Sequence, residues 1–395
     1  MIAVIADDLT GAAELAGIGL TYGLTVELAM SVNSQSRAEL IVIATDARSV
    51  SESEAVQEMT DVSEALGAMQ PDLIYKKVDS VLRGHIIAEV HAQLVVLGLT
   101  KALIVPANPA LGRTLVDGHY YIHGERIHTT HFAEDPEFPI TESAIQKRFS
   151  GATGLQVLAA LSTLPNEGII IGEVEKQADL HNWVNHLDKQ TLPIGGSGFF
   201  TAILDSLQLP KKPIDELVIL NECRLYVCGS SFGDRVELVK SAKEAGHAVS
   251  YMPSQLTNVG GLMSVALANW ATEIAGYLQR KKQVILAIDP DSTEGKTGMA
   301  LHLRTVMAMV VKEVLNQVTV HELIIEGGST AASVLREIGI TRLEPVQELA
   351  PGVVRTRAIK TAEFRPAGCR PEELYITVKP GSYHWPPALW SLGSH

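Results

Sequence analysis

The sequence predicts an α/β protein made of two α/β domains, each with a mainly parallel sheet flanked by helices. Along most of the chain, short apolar runs of strand character alternate with helical patterns, as they do in parallel sheets with crossover helices. The alternation stops at QLPKKPIDELVILNEC, which carries two prolines and a lysine pair and shows no clear periodicity, and then it restarts. The length of 395 residues suits two or three domains of ~100 to 200 residues each. A boundary is therefore expected near residue 215, giving domains 1–215 and 216–395.

The elements follow in order. MIAVIA reads as a strand and GAAELAGIGLTYG as its helix, then ELIVIAT with SESEAVQEMTDVSEALGAM, and DLIYKKV with the amphipathic IIAEVHAQLVVLG. KALIVPA is a strand running into a long loop from Asn108 to about Thr141. That loop holds the hairpin HYYIHGERIHTT, turning at His123, Gly124 and Glu125. Ser143 and Gln146 have the spacing of a capping box for the next helix. LQVLAAL, EGIIIGEV and TLPIGGSG are further strands, the last feeding the helical FFTAILDSL. In the second half, RLYVCGSS, HAVSYMP, QVILAID, HELIIEGGST and ELYITVKPGSY read as strands. GDRVELVKSAKEAG, GGLMSVALANWATEIAGYLQRKK and AASVLREIG read as helices.

Composition narrows the class. Hydrophobic residues make up 46% and charged residues 19%, a soluble globular balance. A net charge of -13 argues against nucleic acid or an anionic membrane as the main partner. The N-terminus lacks a basic n-region and reaches Asp7 and Asp8 at once, so it reads as mature and cytosolic. The longest apolar runs break at Pro or Asp well short of the ~20 residues that span a bilayer. Cys223, Cys228 and Cys369 lack zinc spacing and are expected as reduced, buried thiols. A homo-oligomer is left open.

In open α/β sheets ligands gather outside the carboxyl ends of the strands. In the first half those positions hold Asp7, Asp8, Thr10 and Gly11; Lys77, Asp79, Ser80, Arg83 and Gly84; Asn108, Gly112, Arg113 and Thr114; and the GGSG of Gly195 to Gly198. Carboxylates can orient hydroxyls or take a proton, and cations can hold an acid, so a small polyol acid suits this set. In the second half the strand ends are CGSS at Cys228 to Ser231, EGGST at Glu326 to Thr330, and KPGS at Lys379 to Ser382. Small residues leading into helix N-termini favour phosphate, which points to a nucleotide site.

The blocks IADDLTGAAE, KKVDSVLRG, VPANPALGRTLVDGHYYIHG, PITES, GGSG, CGSS, EGGSTAASVL and PGSY, in order along almost the whole chain, resemble the four-carbon acid sugar kinase family. The resemblance implies an ATP-dependent kinase, with Mg²⁺, acting on the terminal hydroxyl of threonate, erythronate or an oxo-tetronate. The first domain would bind the sugar acid and the second the nucleotide. It implies ATP contacts at Ser230, Gly327, Gly328, Ser329, Thr330 and Gly381, and substrate contacts at Asp8, Lys77, Asp79, Arg83 and Arg113. Asp7, Thr10, Gly196 and Ser197 join the substrate side from their strand-end positions. The chain departs from the family in three places: Ser329 stands where an acid is common, Gly381, Ser382 and Tyr383 where Gly-Asn-Phe is frequent, and DSVLRG replaces DSTLRG.

On this reading Asp8 is the first choice for the base and Asp79 the reserve, both catalytic candidates, while Arg83 or Arg113 clamps the substrate carboxylate. Domain closure would exclude water. Strand alternation puts Tyr75, Lys77 and Asp79 on one face and Lys76 on the other, where a surface ion pair is expected. His119, His123, His128 and His131 lack an acidic partner at ligand spacing and are taken as loop histidines, with His119 or His123 a candidate for the pocket wall; no metal site is assigned. Two alternatives compete. Asp289, Asp291 and Thr293 in QVILAIDPDSTEGKT imitate the opening motif of haloacid-dehalogenase-like phosphatases, the earlier Walker A glycine of its GKT falling at Pro290. A non-catalytic sugar-acid sensor is the other.

Overall fold

The computed structural model describes residues 1–135, 138–152, 154–160, 162–212, 219–229, 233–257, 263–293, 298–361, 364, 366–368, 370–381 and 383–390. The chain falls into two compact units, Met1–Val26 with Met30–Lys212, and Glu27–Ala29 with Pro213–His395. The switch at Lys212 falls in the aperiodic segment. Assignment of Glu27–Ala29 to the second unit is unforeseen, because a short apolar stretch carries no mark of the sheet it joins.

The first unit opens with β1 (Ile2–Ala6), α1 (Leu9–Thr21) and β2 (Val26–Ala29), the last reaching into the residues of the second unit. It continues with β3 (Leu40–Ala44), α2 (Glu52–Ala68), β4 (Leu73–Lys77), α3 (Ile86–Leu97) and β5 (Lys101–Val105). The small strands β6 (Arg113–Val116), β7 (His119–Ile122) and β8 (Glu125–Arg126) form an antiparallel sheet of their own. Then come α4 (Ile145–Arg148), β9 (Leu155–Leu158), β10 (Gly168–Gly172), α5 (Gln177–Val184), β11 (Thr191–Gly195) and α6 (Ser197–Ser206).

The main sheet of this unit runs β3-β1-β4-β11-β5-β10-β9, all parallel. β1, β3 and β5 are buried along their whole length, as expected for strands covered by helices on both faces. Register aligns Ala44, Ala6, Lys77, Gly195 and Val105 in one row at the carboxyl ends. The chain therefore leaves the sheet at the same level in five strands.

Local chemistry explains the helix starts. Asp8 caps α1 in extended geometry, its Oδ1 accepting from the Gly11 N–H at 2.8 Å. Ser51 and Glu54 form a capping box at α2. The box expected at Ser143 and Gln146 is absent: Ala144 is the N-cap of α4, and Ser143 is buried with its hydroxyl 3.0 Å from His119 Nδ1. The competing tertiary partner wins over the local cap. The hairpin turns as expected, with His123 and Gly124 both at positive φ between Ile122 and Glu125.

The second unit contains β12 (Arg224–Cys228), α7 (Gly233–Glu244), β13 (Val249–Tyr251), α8 (Met263–Lys281), β14 (Gln283–Ala287), α9 (Pro290–Thr293) and α10 (Ala300–Gln317). It ends with β15 (Glu322–Glu326), α11 (Gly328–Ile338), β16 (Arg342–Ala350), β17 (Val353–Ala358) and β18 (Tyr375–Lys379). β13-β14-β12-β15-β18 are parallel, and β17 and β16 continue antiparallel. Leu28 and Ala29 pair with Leu343 and Arg342 at the edge, where Arg342 Nε also bonds Glu27 Oε1 at 2.9 Å. Here too the register aligns the carboxyl ends, with Tyr251, Ala287, Cys228, Glu326 and Lys379 in one row. Tyr226, Trp385 and Trp390 pack with Leu389 over one face of the sheet. Cys223 and Cys228 are buried and in no disulfide among the described residues, and Cys369 lies outside the described residues.

Candidate active site

Past the aligned strand ends of the first unit, charged side chains converge. Asp7 and Asp8 leave β1, Lys77 and Asp79 leave β4, and Arg48 comes from a short turn, Ala47–Ser49, after β3. Asp7 Oδ2 accepts from Arg48 Nη2 at 2.8 Å and Nε at 3.1 Å, while Asp7 Oδ1 is buried with no hydrogen-bond partner among the described residues. Arg48 Nη2 also lies 3.5 Å from Asp8 Oδ1, and its Nη1 lies 3.9 Å from Asp79 Oδ1. Asp8 Oδ2 accepts from the Thr10 hydroxyl. A side chain at Gly11 would crowd this cluster, because a Cβ would sit 2.7 Å from Asp8 Oδ1 and 2.8 Å from Lys77 Nζ and push one or both aside. Lys77 Nζ donates to the Val78 carbonyl at 3.1 Å and lies 3.8 Å from Glu14.

The VDSVLRG turn is held from several sides. Arg83 grips Asp79 through Nε and Nη2, each at 2.9 Å, and gives Nη1 to Asp135 at 2.7 Å. Tyr120 donates to the Ser80 carbonyl at 2.6 Å, and Arg148 Nη2 donates to the carbonyls of Val81 and Leu82 at 3.0 and 2.9 Å. Leu82 is at φ 62, a conformation that needs such bracing. Arg113 Nη1 donates to the Ser80 hydroxyl, and no carboxylate among the described residues is within ion-pair distance of Arg113. Ser197 and Asn108 meet at 3.4 Å, and a Cβ on Gly196 would come within 3.7 Å of Ser80 Cβ, which ties the ends of β5 and β11 into the same cluster. His123 packs its ring on Gly112, where a Cβ would be 2.2 Å from Nδ1.

Electrostatics sort the three carboxylates. Burial pushes the Asp7 carboxyl above its ordinary range, despite Arg48. For Asp8 burial acts in the same direction but is outweighed by Arg48 and Lys77 and by the bonds from Thr10 and Gly11, so its carboxyl sits below the usual range. For Asp79 burial is overcome by Arg48 and Arg83, which hold it far below that range. Asp8 is also the most accessible of the three, with 20% of its side chain exposed against 2% for Asp7 and 10% for Asp79.

The structure thus brings together Asp7, Asp8, Thr10, Lys77, Asp79, Arg83, Arg113, Gly196 and Ser197 from distant parts of the sequence. It also differs in two respects from what the residues suggested. Arg83, one of two candidates for the acid clamp, is engaged by two protein carboxylates. Lys76 does face away, but not into a surface ion pair: it is fully buried, its Nζ 2.6 Å from the buried Glu89 and 3.2 Å from Met59 Sδ. Strand alternation gives the face, not the depth, and α2 and α3 cover that face. Arg48, Glu14, Asp135 and Arg148 went unnoticed. Arg48 follows its strand in TDARS, so the strand-end rule applied to β3 finds it; Asp135, in the loop after β8, and Arg148, the last residue of α4, come from segments whose path no local pattern announces.

In the second unit, the ends of β12, β15 and β18 carry the glycine turns. Gly327 is at φ 93, and α11 starts behind it with neither a capping side chain nor an acid in its first turn. The first N–H groups and the positive end of the helix dipole are left for a ligand. Gly327 N is fixed by the Lys379 carbonyl at 2.9 Å. Gly229 packs against Thr330, where a Cβ would be 2.6 Å from Oγ1, and a Cβ on Gly381 would meet nothing within 4 Å. Beneath the turns Lys379 Nζ pairs with Glu326 at 2.6 Å, both buried. Ser230 and Ser382 lie outside the described residues.

Comparison with known proteins follows the same division. Residues 2–203 match the family model of a sugar-binding N-terminal domain, and residues 238–383 match that of a nucleotide-binding C-terminal domain. The chain belongs to the four-carbon acid sugar kinase family. It is similar to the D-threonate kinase of Salmonella typhimurium, 26% identical over 378 residues and covering 88% of this chain and 89% of that one. It is also similar to the 3-oxo-tetronate kinase of Actinobacillus succinogenes, 24% identical over 413 residues, with 97% and 96% covered. A crystal structure of a Haemophilus influenzae protein superposes with a TM-score of 0.73 at 18% identity, covering 99% and 98%, and shows the shared α/β fold.

Family membership also disposes of the phosphatase reading. Asp289 and Asp291 lie inside the nucleotide-binding match rather than opening a domain. Asp289 Oδ1 accepts from the Asp291 N–H at 3.2 Å, the geometry of a turn leading into α9. The GKT of Gly295 to Thr297 lies outside the described residues. A sensor lacks use for a nucleotide-binding domain, and it is set aside as well.

Proposed function

We propose that this protein is an ATP-dependent kinase that phosphorylates the terminal hydroxyl of a four-carbon sugar acid of the threonate, erythronate or 3-oxo-tetronate type. The observation that carries the reading is the chemistry of the two rows of strand ends. One gathers carboxylates and cations suited to a hydroxy acid, and the other presents glycine-containing strand ends, the one before α11 uncapped, suited to phosphate. Residues 1–215 would serve the sugar acid and 216–395 the nucleotide.

Each residue then has a task. Arg113 clamps the substrate carboxylate, since among the described residues its planar fork has only the Ser80 hydroxyl as partner, whereas Arg83 already holds Asp79 and Asp135. Asp8 orients the acceptor hydroxyl and takes its proton; its carboxyl is ionised at neutral pH and is the most accessible. Asp79 is too tightly held by Arg83 to be first choice and remains the reserve. Lys77 and Thr10 fix Asp8, while Asp7, Gly196 and Ser197 line the wall. Gly328, Ser329, Thr330 and Gly381, with Ser230, receive the ATP phosphates through backbone N–H groups and hydroxyls, while Gly327, whose own N–H is taken by the Lys379 carbonyl, lets the backbone come close through its positive φ. Phosphoryl transfer asks mainly for such positioning and charge neutralisation.

No group of three or more His, Cys, Asp or Glu among the described residues could hold a metal ion. Magnesium bound with ATP takes most of its ligands from phosphate and water and neutralises phosphate charge. No protein ligand is assigned to it. No helix among the described residues is long and apolar enough to cross a membrane.

The test is ADP formation over a panel of threonate, erythronate and 3-oxo-tetronate isomers. The reading expects turnover that needs one of these acids. ATP binding with uniform silence across the panel would count against it.

A further inference from the structure

The Arg48 side chain sits at the centre of the acid cluster. Its backbone N–H bonds the Asp7 carbonyl at 3.4 Å, so the turn after β3 is tied to the end of β1 before any side chain acts. Its aliphatic stem passes Gly84, at φ 101, where a Cβ would lie 3.4 Å from Arg48 Cγ. From there the guanidinium reaches Asp7 at 2.8 Å, Asp8 at 3.5 Å and Asp79 at 3.9 Å. Such close carboxylates repel one another, and without a cation between them at least one would be driven to take up a proton or turn away.

We propose that Arg48 is a positioning residue of the kinase reaction: one guanidinium, shared among Asp7, Asp8 and Asp79, holds the three carboxylates in a fixed order so that Asp8, the most accessible, faces the acceptor hydroxyl. The inference rests on the kinase reading above. The bonds are unequal in a way that makes the order. Asp7 receives two Arg48 hydrogen bonds and is fully committed on that side; Asp79 receives Arg83 in addition; Asp8 has only the 3.5 Å contact, with Thr10 and Gly11 setting its angle. The charged groups acting on Asp8 are Arg48 from the turn after β3, Lys77 from β4 and the neighbouring Asp7 from β1; behind them Glu14 from α1 lies against Lys77, and Asp79, held by Arg83, lies against Arg48. Among the described residues, Arg48 is the only cation within 4 Å of all three acids. Lys77 would remain in an Arg48 variant, so Asp8 should lose order and part, not all, of its electrostatic support.

The experiment follows Asp8 directly by carbon-13 carboxyl NMR of aspartate-labelled protein, assigned with Asp8→Asn, in parallel with steady-state kinetics. In Arg48→Met the Asp8 titration midpoint is expected to rise by about 1 unit or more. The same variant should lower kcat more than tenfold, shift the acid limb of the kcat profile upward by a similar amount, and leave KM for ATP within twofold. Arg48→Lys, which restores charge but cannot span three carboxylates, should recover the midpoint and not kcat. Should Arg48→Met fail to fold, Arg48→Lys and Arg48→Gln supply the same pair of readings. An Asp8 midpoint unmoved in the neutral variant overturns the proposal, as does a pure rise in KM with kcat and its acid limb unchanged. Silence of the wild-type protein on every sugar acid would instead overturn the kinase reading, while the titration would still show whether Arg48 orders the acids.

Discussion

Replacing Arg113 with methionine should remove the grip on the substrate's carboxylate while sparing the fold. Among the described residues its polar partner is the Ser80 hydroxyl, half-buried and able to take water instead, so the melting temperature should scarcely change. Arg83 cannot substitute, because its Nε, Nη1 and Nη2 are bonded to Asp79 and Asp135. A hydrogen bond to a charged group contributes about 1.5–3 kcal/mol. At about 1.4 kcal/mol per tenfold, loss of the clamp should raise KM for the sugar acid on the order of 10- to 100-fold, with KM for ATP unchanged. Arg113→Lys should recover only part, since an ammonium cannot make the paired contact. The assay is coupled ADP release with the sugar acid varied at saturating ATP. A KM within threefold of wild type would refute the assignment, and a large rise in Arg83→Met at unchanged melting temperature would transfer it to Arg83.

Three further outcomes are expected. Glu89→Gln strands Lys76 in the interior and should destabilise the first unit by about 3–5 kcal/mol in denaturant melts, whereas Lys76→Met with Glu89→Leu should recover most of it; a loss below about 1 kcal/mol in the single variant would show that Lys76 finds water. Gly11→Ala places a methyl against Asp8 and Lys77, so kcat should fall tenfold or more with ATP affinity, read by calorimetry, intact. Asp79 carries a depressed carboxyl, so its contribution to stability is complete above the unfolded value of 3.8 and is lost as pH falls toward the folded value. Melting temperature should therefore drop more steeply below about pH 4 in wild type than in Asp79→Asn, and parallel slopes would contradict the pairing with Arg48 and Arg83.

Much of this architecture is legible in the residues alone. Parallel strands buried on both faces are written as apolar runs, and IAVIA, LIVIA and KALIV appear where expected. The site was readable for a related reason: aligned carboxyl ends put the residue after each strand in one place, so Asp8, Asp79 and Gly196 meet without any sequence proximity. Missing information is mostly tertiary. β2 and the antiparallel β16 and β17 have no pattern that names their partners, and α10 was overlooked although its burial is helical. Lys76 and Ser143 show the same limit, since both are buried polar residues whose partners, Glu89 and His119, lie far from any local motif. Arg83 adds a further case, since its Nη1 donates to Asp135, 52 residues on, a pairing no local motif announces.

Phosphorus-31 NMR of the protein with magnesium, ATP and each sugar acid in turn tests the central claim most directly. A new phosphomonoester resonance should grow in step with ADP for at least one threonate, erythronate or 3-oxo-tetronate isomer, with proton coupling to a terminal CH₂ and no free phosphate. No phosphomonoester with any of these acids, although ATP is bound, would contradict it, and so would release of inorganic phosphate from a phosphosugar without ATP.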